Sequence, residues 1–277
     1  MHLPLSIIVT TYNRPDALAM TLRGLAEQQE GGFEVLVADD GSSGDTAEMI
    51  QEIAANYPAP LQHIWHADQG FRAAAIRNRA IAASSGEYVV LMDGDCIPRP
   101  CFTKCHRKLA QKGWIVGGTR LLLSEEFTQT VLDENLPVHR WGRTRWIKPR
   151  LQGRTNRVLP MLLPLPDGNW RRRRPQSWKS LRTFNMCVHR SALLDVNGLD
   201  ESIAGWGSED SDLVIRLLHA GIRIKSGRHA SPVLHLWHPP LSRDSAKENQ
   251  DGLQEVLQSH RIKARQGLIE AAEAARH

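Results

Sequence analysis

Two carboxylates and two imidazoles in this sequence have the residue types of a metal site. Asp93-Gly94-Asp95 follows an apolar run, and its two short carboxylates are hard oxygen ligands that suit Mg²⁺ or Mn²⁺ holding phosphate oxygens. The glycine between them permits close approach of a ligand. His235 and His238 could complete a site begun by Asp95, since imidazole also binds Mn²⁺. Taken alone, the tripeptide also fits an Asp- and Gly-rich turn, and the histidines also fit satisfied polar residues at a strand end.

A third stretch, Gly205-Trp206-Gly207-Ser208-Glu209-Asp210, predicts a proton acceptor beside a flat apolar surface. Trp206 offers a stacking platform, and Ser208 caps a predicted helix whose first turn carries Glu209 and Asp210. The positive end of the helix dipole keeps these carboxylates ionised, as a general base requires. An ordinary capped helix with an acidic first turn is the alternative interpretation.

Phosphate-cradling glycine motifs are absent from the sequence. No G-x-G-x-x-G follows the first predicted strand, and no G-x-x-x-x-G-K-[ST] occurs anywhere, which argues against the usual dinucleotide and P-loop sites. A metal must therefore neutralise more of the phosphate charge, with Arg72 and Arg77 as the nearby cations. Solvated helical arginines are the alternative for these two residues.

The elements that must position these residues form a regular pattern in the first 120 residues. Strand-like runs begin near Leu5, Phe33, Leu61 and Tyr88, at intervals of 28, 28 and 27 residues, which is the pitch of strand–helix–strand units. Helical patterns begin at Pro15, at Asp45 and over Ala73–Ala83, so we predict a parallel α/β sheet with helices on its faces. Ligands of such sheets bind beyond the carboxyl ends of the strands. At those ends stand Thr10-Thr11-Tyr12-Asn13, Asp39-Asp40-Gly41-Ser42, Asp68-Gln69-Gly70 and Asp93-Gly94-Asp95.

Regular patterns return near Thr183, after a weakly patterned middle part. They predict a short helix over Ser191–Val196, a helix from Ser208 that Gly221 ends, a strand over Pro232–Trp237 and an amphipathic helix around Leu253, Val256 and Leu257.

Residues 139–182 form a basic segment. They contain thirteen Lys or Arg against one acid, Asp167, so the segment carries +12 and the rest of the chain −7 within an overall net charge of +5. Four of the eight tryptophans also lie here. Such a segment suits an anionic partner, either a phosphate-bearing glycan, an anionic membrane surface or a nucleic acid. Its five prolines predict a long loop or mobile insert.

Composition excludes several classes of protein. A chain of 277 residues with 41% hydrophobic and 23% charged residues has enough apolar mass for a core, which excludes disordered, collagenous and disulfide-scaffold classes. We find no apolar run long enough to span a bilayer and no signal peptide, and therefore expect an unexported, cytoplasmic protein. The four cysteines lack a disulfide or zinc-pair spacing, so we expect reduced and mostly buried thiols.

Taken together, these motifs resemble the inverting nucleotide-sugar glycosyltransferases of glycosyltransferase family 2, which have the GT-A fold. The resemblance covers about residues 5–240 apart from the basic segment, and its matching segments are Ser6–Arg14, Val37–Ser42, Gly70–Asn78 and Leu91–Asp95. The C-terminal part, Asn197–Asp200 and Gly205–Asp212, looks like β-1,4-galactosyltransferases and bacterial chondroitin-type polymerases. The implied fold is a Rossmann-like, nucleotide-sugar-binding mixed sheet flanked by helices. We expect one domain over 1–240, with a nucleotide-binding half (1–120), a basic insert (121–182) and an acceptor and catalytic half (183–240), followed by a helical tail over 241–277.

The resemblance implies a UDP-sugar donor and a Mn²⁺ or Mg²⁺ ion. It places Thr10, Tyr12 and Asn13 around uracil and ribose, Asp40 on the uridine, Arg77 on the diphosphate side, Asp93 on ribose and metal, and Asp95 on the metal. Arg72 is a further candidate for donor binding, because it lies on the same predicted helix as Arg77. His235 and His238 have the spacing of a Met and a His that complete the metal shell in galactosyltransferases, and His238 is the favoured ligand of the two.

The same resemblance implies catalytic roles. Asp210 would be the general base of a single displacement that inverts the anomeric carbon, Glu209 would hold sugar hydroxyls, and Trp206 would form a sugar platform. The expected reaction moves a hexose or N-acetylhexosamine to a glycan or lipid-linked glycan, in cell-surface polysaccharide or lipopolysaccharide synthesis. The basic segment would then recognise an acidic acceptor or rest on the inner membrane face, with a solvated loop as the alternative.

Three other functions remain open from the sequence. A sugar nucleotidyltransferase also uses metal-binding aspartates, although residues 10–14 lack its glycine-rich signature. A nucleic-acid-binding protein could use the basic segment, but no RNA-binding motif accompanies the charge, so no nucleic acid partner is expected. A sugar-nucleotide binder without activity is disfavoured, because metal ligands and a candidate base are both present.

Overall fold

The computed structural model describes residues 3–203, 207–240 and 246–269, with backbone only for Ser180 and residues 246–251. Its centre is a seven-stranded mixed sheet in the order β3-β2-β1-β4-β8-β6-β9. These strands are β1 (Leu5–Thr11), β2 (Phe33–Asp39), β3 (Leu61–Trp65), β4 (Tyr88–Asp93), β6 (Trp114–Gly117), β8 (Asn185–His189) and β9 (Arg223–Ser226). A small sheet in the order β5-β10-β7 lies beside it, formed by β5 (Cys96–Ile97), β7 (Arg120–Leu122) and β10 (Val233–His235).

The first four strands are parallel, as the sequence pattern predicts. Their first residues, Leu5, Phe33, Leu61 and Tyr88, are those at which the apolar runs begin. The helices between them are α1 (Pro15–Ala26), α2 (Gly44–Ala54) and α3 (Ala73–Ala83), and the predicted helices at these places are confirmed. Residues of the three central strand ends stand level with one another, because Thr11 pairs with Asp39 and Thr10 with Asp93.

The other helices are α4 (Phe102–Leu109), α5 (Glu125–Asp133), α6 (Ile147–Leu151), α7 (Leu159–Leu162), α8 (Arg190–Asp195), α9 (Glu209–His219) and α10 (Ala246–Ser259). The predicted helices near Ser191, Ser208 and Leu253 and the strand near Val233 are therefore present. Ser208 occupies the N-cap position of α9 but makes no side-chain capping hydrogen bond, and its φ of 78° is left-handed. The expected side-chain cap is thus absent, and an unusual backbone conformation sets the start of the helix.

Three apolar clusters form the core. Two of them contain alternate residues of the same central strands, such as Ile8 in one and Ile7 in the other, because successive strand side chains point to opposite faces of a sheet. The third cluster joins the small sheet to the basic segment and includes Leu121, Leu234 and Trp146. The central sheet is therefore covered on both faces, and the small sheet has a separate core.

The prediction that the basic segment is a long loop is wrong. It contains α6, α7 and 3-10 turns at Val138–Arg140, Arg143–Trp146, Asn169–Arg172 and Trp178–Ser180. Trp146, Met161 and the Arg171 side chain are buried. The Trp146 ring lies 5.2 Å from that of Trp141, which lies 6.0 Å from the Phe127 ring, so these two tryptophans pack into the third cluster.

Charged side chains hold the basic segment against the rest of the chain. The buried Arg171 guanidinium donates hydrogen bonds to the carbonyls of Ser226 (2.8 Å) and Arg228 (2.7 Å), beside β9, and to carbonyls of Leu165 and Pro166 within the segment. Glu27, at the end of α1, binds His139 (2.8 Å) and Arg140. The hydrogen bond from Arg140, helped by His139, lowers the pKa of Glu27 to about 2.

The cysteines and the lengths of the helices bear on two further expectations from the sequence. All four cysteines are free, as predicted, but only Cys96 and Cys187 are buried, whereas Cys101 and Cys105 are half-buried. Within the described ranges, no helix has both the length and the apolar character that crossing a membrane requires.

Candidate active site

Asp95, His235 and His238 converge beside the end of β4. Asp95 follows β4 by two residues, and β5 pairs antiparallel with β10 so that Cys96 faces His235. The Nε2 atoms of His235 and His238 each lie 3.5 Å from Oδ2 of Asp95, and one ligand atom from each of the three residues falls within 4.8 Å of the others. Oδ1 of Asp95 is buried and has no hydrogen-bond partner among the described residues. One carboxylate and two imidazoles are a donor set that fits Mn²⁺.

The electrostatics of this cluster also favour a cation. Burial, and then the charges of Asp95 and Asp210, raise the pKa of Asp93 to about 6. Burial likewise raises the pKa of Asp95. Burial lowers the pKa of His235 to about 4, so its imidazole is neutral near pH 7, the form that binds metals. The buried Cys96 thiol has its pKa raised well above the usual value, so it stays protonated and is a poor ligand.

Arg77, on α3, joins the candidate metal site to the helix that carries the candidate base. Its Nε donates to Oγ1 of Thr10 at 2.9 Å, and its Nη2 lies 3.4 Å from Asp93. Its Nη1 lies 3.5 Å from both Glu209 and Asp210. Burial lowers the pKa of Arg77, and the surrounding carboxylates raise it by more. One buried guanidinium thus holds three acidic side chains from β4 and α9 around itself.

Asp210 has both carboxylate oxygens fixed by Thr183. The Thr183 hydroxyl donates to Oδ1 at 2.7 Å, and its backbone N–H donates to Oδ2 at 3.2 Å. Asp210 is half-buried, whereas the neighbouring Glu209 is buried. Oε2 of Glu209 finds no partner in the part of the chain that the structure describes. Burial, and then the charge of Asp210, raise the pKa of Glu209 to about 7, so Glu209 is partly protonated at neutral pH.

A cavity of about 320 Å³ opens against Glu209. Its lining includes Gln69, Phe71, Arg72, Glu201, Ile203 and Glu209. The carboxylates, the guanidinium and the amide offer both donors and acceptors, while Phe71 and Ile203 offer apolar surface. This mixture suits a sugar ring, which carries hydroxyls on its rim and C–H groups on its faces.

The residues expected around a nucleoside lie at the ends of β1, β2 and β3. Oδ1 of Asp40 lies 2.7 Å from Nε2 of the buried His66, and Oδ2 accepts from the backbone N–H of Arg72 at 3.0 Å. Burial raises the pKa of Asp40. The Tyr12 hydroxyl donates to Asp68 at 2.9 Å, and its ring is exposed.

Two tight backbone turns hold this region. Asn13, with a φ of 47°, donates its backbone N–H to Oγ of Ser42 at 2.8 Å. Gly41 has a φ of 94°, and a β-carbon there would lie 2.6 Å from Cα of Asp68, so only glycine fits.

The structure brings most of the predicted site residues together. Thr10, Asp93, Glu209 and Asp210 surround Arg77, and Asp95 meets both histidines. The Arg72 side chain donates to Gln69 and lines the same cavity as Glu209. Trp206 lies outside the described residues.

Several residues at the site have no motif in the sequence. Thr183 orients Asp210, His66 binds Asp40, and Glu201 lines the cavity. Arg120 lies 4.5 Å over the Phe184 ring. Its positive charge offsets part of the rise that burial causes in the pKa values of Asp93 and Asp95. His66 directly follows a predicted strand, which is a usable signal, whereas Thr183 and Arg120 become recognisable only from their contacts.

Comparison with known proteins relates this arrangement to sugar-transferring enzymes. The family model described as "Glycosyl transferase family 2" matches residues 6–175, and the model described as "N-terminal domain of galactosyltransferase" matches residues 171–239. The two matches together cover the strand ends, the basic segment, α9 and β10.

Curated relatives include polysaccharide synthases. A chondroitin synthase of Escherichia coli is 25% identical over 233 residues, which is 80% of this chain and 33% of that protein. A validoxylamine A glucosyltransferase of Streptomyces hygroscopicus subsp. jinggangensis is 26% identical over 242 residues, covering 83% of this chain and 55% of that protein. A hyaluronan synthase of Pasteurella multocida is 38% identical over 100 residues, 36% of this chain and 10% of that protein. The chain thus spans about half or less of these relatives.

Two solved structures show the same fold. TarS residues 1–349 of S. aureus, in complex with UDP-GlcNAc, superpose with a TM-score of 0.59 at 15% identity, over 97% of this chain and 69% of that one. The mannosyltransferase PcManGT of Pyrobaculum calidifontis, in complex with GDP-Man and Mn²⁺, gives a TM-score of 0.57 at 17% identity, over 100% of this chain and 65% of that one.

Proposed function

This chain belongs to glycosyl transferase family 2 and has the GT-A fold, and we propose that it transfers a hexose or N-acetylhexosamine from a UDP-sugar to a hydroxyl of a glycan. The transfer uses a divalent cation and inverts the anomeric carbon. One observation carries the proposal: Arg77 joins the Asp93 end of the metal cluster to Asp210, the candidate base. The site therefore has a place for a diphosphate and a proton acceptor next to each other.

The nucleoside lies at the ends of β1 and β2 in this proposal. Tyr12 offers an exposed ring to the uracil, and the buried His66 orients Asp40 towards the nucleoside. Solved neighbours in complex with UDP and UDP-GlcNAc support a uridine nucleotide as the donor. One solved neighbour is in complex with GDP-Man, so a guanosine nucleotide sugar is the alternative donor to compare.

Asp95, His235 and His238 would hold the cation, with Asp93 beside it. When bound, Mn²⁺ or Mg²⁺ supplies positive charge that stabilises the diphosphate as it leaves. The chain's own cations, Arg77 and Arg120, add to the positive charge around the departing group.

Asp210 is the general base in the proposed mechanism. It removes the proton from an acceptor hydroxyl, whose oxygen forms a bond to the anomeric carbon. The bond from that carbon to the UDP oxygen breaks on the opposite face, and its electron pair leaves with UDP. A single displacement converts an α-linked donor into a β-linked product. Thr183 and Arg77 keep the Asp210 carboxylate in one orientation during this step.

Glu209 binds a sugar hydroxyl in the cavity of about 320 Å³. Its Oε2 has no hydrogen-bond partner among the residues that the structure describes, and its pKa is raised to about 7, so it can either donate to a hydroxyl or accept from one. Glu201 and Arg72 provide further polar contacts around the ring.

The acceptor is proposed to be a growing glycan of a cell-surface polysaccharide or lipopolysaccharide. The chondroitin and hyaluronan synthases among the relatives support polysaccharide synthesis. A sugar nucleotidyltransferase is disfavoured, because the family match covers the strand ends and the metal aspartates.

A donor screen tests the proposal. Purified protein is incubated with UDP-galactose, UDP-N-acetylgalactosamine, UDP-glucose, UDP-N-acetylglucosamine and GDP-mannose, with and without Mn²⁺, and thermal shift and UDP or GDP release are measured. We expect a Mn²⁺-dependent response to a UDP-sugar that Asp95→Asn abolishes and that the exposed control Asp133→Asn leaves intact. The anomeric proton coupling of the product reports inversion. A response that Asp95→Asn retains would contradict the metal assignment.

A further inference from the structure

The outer surface of the basic segment is both cationic and apolar. Of the eleven large apolar side chains that are exposed among the described residues, five lie between residues 147 and 165. Leu151 is 82% exposed and Leu159 is 58% exposed. We call the exposed basic and large apolar side chains of residues 143–165 the basic-apolar patch. Its members are Arg143, Arg145, Ile147, Lys148, Arg150, Leu151, Arg157, Leu159, Leu163 and Leu165.

No acidic side chain offsets the charge of this patch along the chain. The sequence contains no Asp or Glu between Glu134 and Asp167, and Asp167 itself binds the buried Lys225 at 2.8 Å. Lys148, Arg150 and Arg157 form no ion pair within the ranges that the structure covers. Their positive charges are therefore available to an external anion.

The exposed leucines lie outside an already filled core. Trp146, directly before α6, and Met161, in α7, are both buried in the third apolar cluster. Trp146 and Met161 point into this cluster, whereas the exposed leucines near them in the chain point away from it. An apolar surface of this kind, interspersed with cations, marks an interaction site.

The chemistry of the patch favours a lipid surface over a nucleic acid. Single-stranded nucleic acids stack their bases on exposed aromatic rings. Here Trp146 is buried, and the half-buried Trp141, Trp170 and Trp178 each have a basic side chain over the ring, at 4.2, 4.2 and 5.7 Å. The exposed apolar groups are aliphatic, which fits the boundary between headgroups and acyl chains.

We propose that the basic-apolar patch docks this protein on the surface of an anionic bilayer. The arginines and lysines bind lipid phosphates, and Leu151, Leu159 and Leu163 enter the headgroup layer. Leu234 and Leu236, on either side of His235, belong to the same cluster as Trp146 and Met161. The patch and strand β10, which carries the proposed metal ligand His235, therefore pack on one core. Docking then holds the proposed site close to lipid-linked glycans.

The test measures flotation of the full chain with extruded vesicles, without nucleotide or metal. Vesicles of phosphatidylcholine alone are compared with vesicles that contain one quarter phosphatidylglycerol, at low and high salt. The charge variant is Lys148→Gln/Arg150→Gln/Arg157→Gln, and its control, Lys104→Gln/Lys108→Gln/Lys112→Gln, removes three exposed lysines elsewhere. The apolar variant is Leu151→Ser/Leu159→Ser/Leu163→Ser, and its control is Leu194→Ser/Ile262→Ser. Thermal unfolding verifies that each variant folds.

We expect salt-sensitive binding to the anionic vesicles that falls at least tenfold in both patch variants and is unchanged in both controls. No binding to anionic vesicles would overturn the proposal. Binding that the apolar variant retains would overturn it too, because a purely electrostatic contact would equally suit RNA, and competition by a single-stranded RNA would identify that case. The flotation assay contains no nucleotide, so its outcome does not depend on the proposed transferase activity. The donor screen contains no vesicles, so its outcome does not depend on membrane docking.

Discussion

Asp210→Asn is the substitution that separates the proposed base from the rest of the site. Asparagine has nearly the same shape but cannot accept a proton at neutral pH. General-base catalysis contributes about 10²- to 10⁴-fold in rate, which corresponds to about 3–5 kcal/mol of activation free energy. We therefore expect kcat to fall by at least about a hundredfold.

The same substitution has little effect on stability. The Thr183 hydroxyl, 2.7 Å from Oδ1, can still donate to the amide oxygen, but the new NH₂ faces the Thr183 N–H in place of Oδ2. Losing that hydrogen bond costs about 1 kcal/mol. The variant also removes one of three carboxylates around Arg77, which relieves repulsion from Asp93 and Glu209 while it weakens one attraction. We therefore expect the Tm to fall by about 2–4 °C.

The assay follows UDP release with a saturating donor and a titrated acceptor. Glu209→Gln is the matched control, because it removes a carboxylate from the same guanidinium one residue earlier. We expect Glu209→Gln to raise the acceptor KM with a smaller loss of kcat. If Asp210→Asn keeps more than a tenth of the wild-type kcat, or if Glu209→Gln loses more, Asp210 is not the base.

Three further predictions concern stability and donor binding. Arg171→Met leaves four carbonyls without the buried guanidinium, so we expect the free energy of unfolding to fall by about 3 kcal/mol in urea titrations. The control Arg173→Met, at an exposed neighbour, should change it by less than about 0.5 kcal/mol. Equal losses in the two variants would contradict the stabilising role of the Arg171 hydrogen bonds. Gly41→Ala should raise the donor KM because its β-carbon meets backbone, and Gly44→Ala, which meets nothing within 4 Å, should not. Burial lowers the pKa of His106 to about 4 in the folded protein, whereas the pKa of a histidine in the unfolded chain is about 6.5. The unfolded state therefore binds more protons between these pH values, and the stability of the fold decreases as the pH drops from about 6.5 to about 4. His106→Gln should make that fall shallower by up to about 3 kcal/mol, and an unchanged slope would refute this cause.

Local patterns predicted the fold of the first 120 residues well. The bounds of α3 are those expected from its alanine-rich run, and the four parallel strands begin at the expected residues. In these elements the apolar period, the helix-start residues and the interval between strands all indicate the same structure. The strand ends then bring Thr10, Asp40 and Asp93 to one edge without further information.

The basic segment could not be predicted in this way. Its short 3-10 turns have no apolar period, and its order depends on partners distant in the chain. Arg171 finds the carbonyls of Ser226 and Arg228, and His139 finds Glu27. A sequence pattern records charge and proline content but not these contacts, so an ordered segment was mistaken for a loop.

The candidate metal site shows a different limit of prediction from sequence. Asp95 and His235 are far apart in the sequence and meet because β5 pairs with β10. Their chemistry could be proposed from residue type and from the family resemblance, whereas their adjacency is a property of the small sheet. Thr183, which fixes Asp210, had no signal at all, because a threonine beside a carboxylate is recognisable only once the chain is folded.

The charges around Arg77 favour the binding of a cation at this site. One guanidinium faces Asp93, Glu209 and Asp210, and Asp95 adds a further carboxylate beyond Asp93. The pKa values of Asp93 and Glu209 rise to about 6 and about 7 because burial and mutual repulsion penalise ionisation. A divalent cation on Asp95 would offset that repulsion and favour the ionised form of Asp93. Cation binding should therefore release protons near pH 6 and raise the Tm, both of which Asp95→Asn should abolish.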